Sequence, residues 1–360
     1  MENKLNSLLE KIQQQQPDFS FDRNKIEEEI ESKSTIFSHI GIKLLSVIGG
    51  ILGSVFFLGF LASIVFDSPR GCIIFGSLFI IGSVVIHKIS HSILLDTGII
   101  CLYLAGALLL GYGLNSEHVG DNGLAFIALI ISLIVLFLSQ GFMLAFLSLL
   151  IANSALLSFV FINDAYNLLH LYMLYVIVVF SLLTYSEAWI VSQKLAISRL
   201  YNPVRSGFLI TFIFTLLVFS ENYLLRDRMH FPWVSSTLLI ISILLVINHI
   251  LNSFKVNKPQ IRLGYYLVST LILLPEIFAP AILGSLFIIL ISFHYGHRTG
   301  FFTGIIALIY FISRYYYDLK LSLLVKSEIL MASGLLFIIV FLALKKYLLK
   351  DENQEPDYTA

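Results

Sequence analysis

From about residue 44 to residue 345 the chain is a succession of apolar runs, each near the length of a membrane span, with a few polar residues between them. A backbone crossing hydrocarbon must satisfy its own hydrogen bonds, so such runs fold only as helices or as a closed barrel. Uninterrupted apolar residues, without strict alternation, select helices. The spans read near 44–66, 71–87, 93–114, 123–139, 141–162, 168–186, 206–225, 233–252, 262–275, 280–295, 299–314 and 326–345. That is about twelve. A spanning helix needs about 20 residues, and several of these are shorter, so the count ranges down to ten.

Composition removes the soluble alternatives. Hydrophobic residues make up 58% of the 360, charged residues only 13%, and the mean hydropathy is +0.88. Soluble domains carry about 25% charged residues; this chain cannot cover a water-facing surface. One large soluble domain, a disordered chain and a nucleic-acid binder are all excluded. The expected fold is an all-α, polytopic integral membrane bundle.

Lys plus Arg and Asp plus Glu balance at 23 each, so net charge selects no partner. Their distribution does select an orientation. With the N-terminus in the cytoplasm, only Arg70, Arg226, Arg228, Arg314, Lys320 and Lys326 fall outside. By the positive-inside rule both termini are then cytoplasmic. The expected organisation is a cytoplasmic N-terminal arm (1–40), a first membrane half (41–186), a cytoplasmic linker (187–205), a second membrane half (206–346) and a cytoplasmic tail (347–360). The polar start argues against a cleavable signal peptide.

Within the arm, Leu5, Leu8, Leu9 and Ile12 line one helical face. That face suits either a membrane surface or a partner helix. The hexapeptide Gly-Ser-Leu-Phe-Ile-Ile occurs at 76–81 and again at 284–289, running outside to inside each time. This is the pattern of a parallel repeat, although apolar sequence matches itself easily. Cys72 and Cys101 both lie in apolar stretches and read as packing residues.

Polar residues at membrane depth are costly and mark candidate sites. The densest group is Arg314-Tyr315-Tyr316-Tyr317-Asp318, followed by Ser322 and Lys326. Arg314 and Asp318, four apart, can pair on one helix. The tyrosines equally suit an interfacial belt with snorkelling cations. Glu221 lies toward the outer end of its span, and Glu276 sits in the Pro275–Pro280 break, a tight hairpin or a broken helix. Glu221, Glu276, Arg314, Tyr317, Asp318 and Lys326 form the candidate outward-facing cavity, suited to an anionic or sugar-bearing group.

No Gly-x-x-x-x-Gly-Lys loop, His-Glu-x-x-His helix or Gly-x-Ser-x-Gly elbow occurs. His294 and His297 lack a third ligand nearby in sequence. No nucleotide, metal or other cofactor is expected, and no enzyme activity.

The tail carries a resemblance. Gly284–Phe293, Gly296-His-Arg-Thr-Gly300, Arg314-Tyr-Tyr-Tyr-Asp-Leu319, Leu323-Leu324, Lys326-Ser327 and Gly334 resemble a bacterial polytopic membrane family known as domain of unknown function 4401. The resemblance implies a bacterial inner-membrane protein and supplies no activity. It also implies a membrane-anchored protein partner, since relatives are often encoded beside one with a Gly-Asp-Tyr motif. The expected role is a non-enzymatic component of an envelope-associated complex in the lipid bilayer. The alternative is a secondary transporter or flippase for a lipid-linked or anionic substrate. An intramembrane glycan- or lipid-modifying enzyme using Glu221 and Glu276 ranks below both.

Overall fold

The computed structural model describes residues 65–318, except 66, 90–92, 140, 194, 222–230, 232 and 256–257, together with scattered positions within 49–60 and 324–342. The spans read at 44–66 and 326–345 fall largely outside these residues, as do the arm and the tail.

Among the described residues the chain is all-α, with no strand. The helices are α1 (Pro69–Ile89), α2 (Ile93–Ser116), α3 (Asp121–Leu138), α4 (Phe142–Ile162), α5 (Leu168–Tyr185), α6 (Glu187–Val191), α7 (Leu195–Ser220), α8 (Trp233–Ser253), α9 (Pro259–Leu273), α10 (Pro280–His294) and α11 (Arg298–Asp318). A 3-10 turn, Leu274–Phe278, joins α9 to α10. Among the described residues, eight segments are long and apolar enough to cross a membrane by length and composition, which makes this a multi-pass membrane protein. Residues 1–144 and 145–360 form two compact units.

In the first unit α1 and α2 run antiparallel, with small residues where the backbones meet. A Cβ on Gly76 would stand 2.6 Å from the Leu110 amide nitrogen, and one on Gly113 would stand 2.7 Å from the Pro69 carbonyl oxygen. Without a hydrophobic force between helices in lipid, such close approach supplies the attraction. Cys72, Phe79 and Leu109 are buried together in this unit. Cys72 donates to the Val65 carbonyl at 3.3 Å. An ion pair sits at one end of the hairpin, Arg70 Nε–Glu117 Oε1 at 3.2 Å, and at the other His87 Nδ1 stands 3.5 Å from Asp96 Oδ1.

The second unit is built around α5, α7, α8 and α10. Phe212, Leu216, Leu239, Ile243, Leu283 and Phe287 are fully buried, and the Phe212 ring packs 5.8 Å from both Phe180 and Phe287. Gly284 accommodates the Leu216 side chain. Several polar residues inside are satisfied in one of two ways. Hydroxyls donate back along their own helices, as Thr215 does to Thr211 (2.7 Å) and Ser285 to Ile282 (2.7 Å). Asn153 ties three helices: its amide donates to Thr211 Oγ1 at 3.2 Å, and its side-chain oxygen accepts from Tyr175 at 3.1 Å. Its carbonyl accepts from Tyr172 at 3.2 Å.

Two expectations are refined. The break at 275–280 is a 3-10 turn between two helices: Pro275 is the second residue of the turn Leu274–Phe278, and Pro280 is the first of α10. The 187–205 linker is largely helical, holding α6 and the start of α7, with Pro203 inside α7. At the other end of α10, Gly296 takes φ 71°. His297 N–H then bonds to the Ser292 carbonyl at 2.8 Å and Gly296 N–H to that of Phe293 at 3.2 Å. This is a Schellman cap, and it delivers His297 to the position described below.

Candidate functional site

Three of the anticipated residues meet at one end of the second unit. Arg314, in the last turns of α11, donates through Nη2 to both carboxylate oxygens of Glu221, at 3.2 and 3.1 Å. Its Nε lies 3.4 Å from Asp318 Oδ2, the expected four-residue pair. Glu221 directly follows α7, at a helix C-terminus where the partial negative charge of the last carbonyls disfavours it. Asp318 is the last described residue of α11. Arg314 pairs with both carboxylates.

Beside this group lies a pocket of about 120 Å³ between the ends of α7, α10 and α11 and the 3-10 turn. Its walls include Phe219, Phe278, Phe311, Arg314, Tyr315 and Asp318. Phe311, Arg314, Tyr315 and Asp318 are spaced i, i+3, i+4, i+7, so a single face of α11 supplies them. That spacing explains why Tyr315 is at the wall and Tyr317 is not. Two residues apart on a helix means about 200° of rotation, and Tyr317 is 78% exposed. Glu276 lies in the adjoining turn, where its carbonyl accepts from Ala279 N–H at 2.8 Å, but it is not among the pocket walls. Lys326 lies outside the described residues.

A second polar cluster escaped the sequence. His297, after α10, has Nδ1 against Arg205 Nη1 of α7 and Nε2 at 3.1 Å from Glu187 Oε2 of α6. Arg205 can only donate, so Nδ1 accepts and the ring proton is assigned to Nε2, facing the carboxylate. The Arg205 guanidinium also stands 5.5 Å over the Tyr201 ring. With Arg205 and His297 separated by 92 positions in the sequence, no local spacing could have revealed the contact.

Burial, and then the neighbouring guanidinium, push the His297 imidazole below its ordinary value, against the smaller opposing pull of Glu187. The neutral ring is thus the folded form. The unfolded chain takes up a proton first as pH falls through about 6.5, so the cluster's contribution is complete above that value. It declines as pH falls from there toward the lower folded pKa. Melting measured between about pH 5 and 7.5 should lose stability toward the acid end. His297→Gln should reduce that slope by up to about one proton.

Two other groupings resemble sites and are better read as packing. His170 Nδ1 lies 2.7 Å from Ser235 Oγ, but Ser235 is completely buried and offers no access to a substrate. His249, His294, Tyr185 and Tyr295 cluster through edge-to-face contacts and one near-parallel stack, His249 on Tyr295, with the two imidazoles 5.2 Å apart. No group of three metal-ligating side chains occurs among the described residues.

A family model described as "Domain of unknown function (DUF4401)" matches residues 39–347. No curated protein and no solved structure matches the chain.

Proposed function

The chain belongs to the DUF4401 family, and from that premise we propose that it is a non-enzymatic component of an envelope-associated complex in the bacterial inner membrane, held against a membrane-anchored partner. The observation that carries this reading is α9. The span Pro259–Phe278 has 6% of its apolar window buried, against 22% to 50% in the other seven. It packs on α8 and the turn that follows it, and Tyr266 donates to Asn248 Oδ1 at 2.8 Å. Leu263, Leu267 and Leu271 are exposed, and beside them Gly264 has open space where a Cβ would stand. An open small residue permits close approach of another helix.

The test is a photo-crosslinker at Leu267 or Leu271 in native membranes. We expect capture of a distinct membrane-anchored protein, co-isolated at fixed stoichiometry. A chain recovered alone from those membranes, with crosslinks to itself or to lipid only, overturns the reading.

A transporter or flippase is the second reading, favoured by the pocket beside Arg314 and Asp318. It requires a path through the bilayer, and Phe212, Leu216, Leu283 and Phe287 fill the middle of the second unit. The packed interior favours the complex component.

A further inference from the structure

We infer that the pocket between α7, α10, α11 and the 3-10 turn is a seat for one uncharged sugar ring, presented as a free hexose or as the headgroup of a membrane glycolipid. This inference stands apart from the partner reading, which concerns α9.

The charges at the pocket are already paired. Arg314 bonds both Glu221 oxygens through Nη2, and its Nε lies 3.4 Å from Asp318 Oδ2. An anion would have to draw the guanidinium away from two carboxylates. A cation would have to draw Asp318 away from the guanidinium. Charge on the ligand therefore gains little here. Of the anionic or sugar-bearing group expected from the sequence, this geometry favours the sugar.

Pairing consumes charge but leaves hydrogen-bonding capacity. A guanidinium has five N–H groups and a carboxylate about four acceptor positions. The hydrogen bonds of Arg314 leave from Nη2, and Nη1 makes none among the described residues. Ser220 Oγ gives its proton to the Leu217 carbonyl at 2.8 Å, so its oxygen can still accept. Tyr315 brings a hydroxyl that can donate and accept. Ser220, Arg314, Tyr315 and Asp318 all line the pocket. Such a mixture of donors and acceptors matches hydroxyl groups, each of which does both.

The remaining walls include Phe219, Phe278 and Phe311. An aromatic face is the negative side of a quadrupole. The C–H groups on the face of a pyranose, made slightly positive by the neighbouring oxygens, stack against it. Rings alone would suit any apolar group, and the polar wall alone would suit water. A sugar ring, apolar on its faces and polar around its edge, matches both. The volume of about 120 Å³ is near that of a cavity that holds one benzene ring, about 150 Å³, so the pocket takes a single ring. Phe278 is 76% exposed and ends the span Pro259–Phe278, the level at which lipid headgroups lie.

The test uses the full chain, purified without glycoside detergents, in lipid nanodiscs. These carry glucosyl- or galactosyl-diacylglycerol, plain diacylglycerol, or phosphatidylglycerol. Native mass spectrometry counts the retained lipid, and the matching methyl hexoside is the free competitor. We expect at least one hexosyl lipid to be held about ten-fold or more above plain diacylglycerol. Asp318→Asn should weaken that retention several-fold. Phe278→Ala should do the same and, at an exposed ring, keeps the test available if the first variant misfolds. Tyr317→Phe, off the pocket wall, should leave retention unchanged. Displacement by the methyl hexoside would show that the sugar alone is recognised. Retention without displacement would assign recognition to the sugar on its lipid. Equal retention of plain diacylglycerol or of phosphatidylglycerol overturns the inference. So does unchanged retention in both pocket variants, or failure to hold any of the hexosyl lipids and hexosides.

Discussion

Gly76→Val should separate α1 from α2, with a loss of at least about 3 kcal/mol, at or beyond the upper end of ordinary overpacking. The size of the effect follows from what the new side chain would meet. Its Cβ would fall 2.6 Å from the Leu110 amide nitrogen and 2.9 Å from the Gly106 carbonyl oxygen. Those are backbone atoms of a regular helix and cannot rotate away as a side chain can, so relief requires moving one helix off the other. Separation forfeits the dispersion contacts that hold helices together in lipid. The measurement is the folded fraction in bicelles against increasing SDS. Gly111→Val is the matched control, because nothing lies within 4 Å of its added Cβ. It should stay within about 1 kcal/mol of the parent. Equal behaviour of the two variants would contradict the close-packed α1–α2 interface.

The second large effect is expected at Arg314. Replacing it by Met keeps an unbranched side chain and removes the charge, taking from Glu221 and Asp318 the cation they share. Breaking a fully buried ion pair costs about 3–5 kcal/mol. These side chains are about a quarter to two-fifths exposed, so water screens part of the penalty and about 1–3 kcal/mol is expected. Arg314→Lys should recover only part of the loss, since a single ammonium cannot reproduce the two-oxygen contact with Glu221. Adding Glu221→Gln and Asp318→Asn to Arg314→Met should restore most of it, because the uncompensated charges are then gone. Melting of the single, double and triple variants in one detergent measures the coupling. Strict additivity would mean that the three residues do not act as a unit.

Much of the helical layout was legible because each helix is a local event. Between residues 69 and 318, every apolar run of the sequence coincides with a helix. Pro275 and Pro280 marked the break between α9 and α10, since a residue without an N–H belongs at the start of an element. The pairing of Arg314 with Asp318 was legible for the same reason, being one helical turn long. Tyr315 could also have been found, had the i, i+3, i+4, i+7 face been started from Phe311. Choosing Tyr317 counted tyrosines without turning the helix. Glu187, Arg205 and His297 were out of reach, because three separate segments must close before they touch.

The sequence by itself determined that this is an all-α membrane protein, because about twenty successive apolar residues have no other way to satisfy a backbone in hydrocarbon. It also named Glu221, Arg314 and Asp318 as costly residues needing a reason. Only the tertiary structure decided what surrounds them. Which face of α11 turns inward, which carboxylates share the guanidinium, and where Gly76 lets two backbones meet all depend on helix rotation and on contacts between distant segments. Hydrophobicity places a helix in the bilayer but leaves it free to rotate about its axis, and packing against its neighbours removes that freedom.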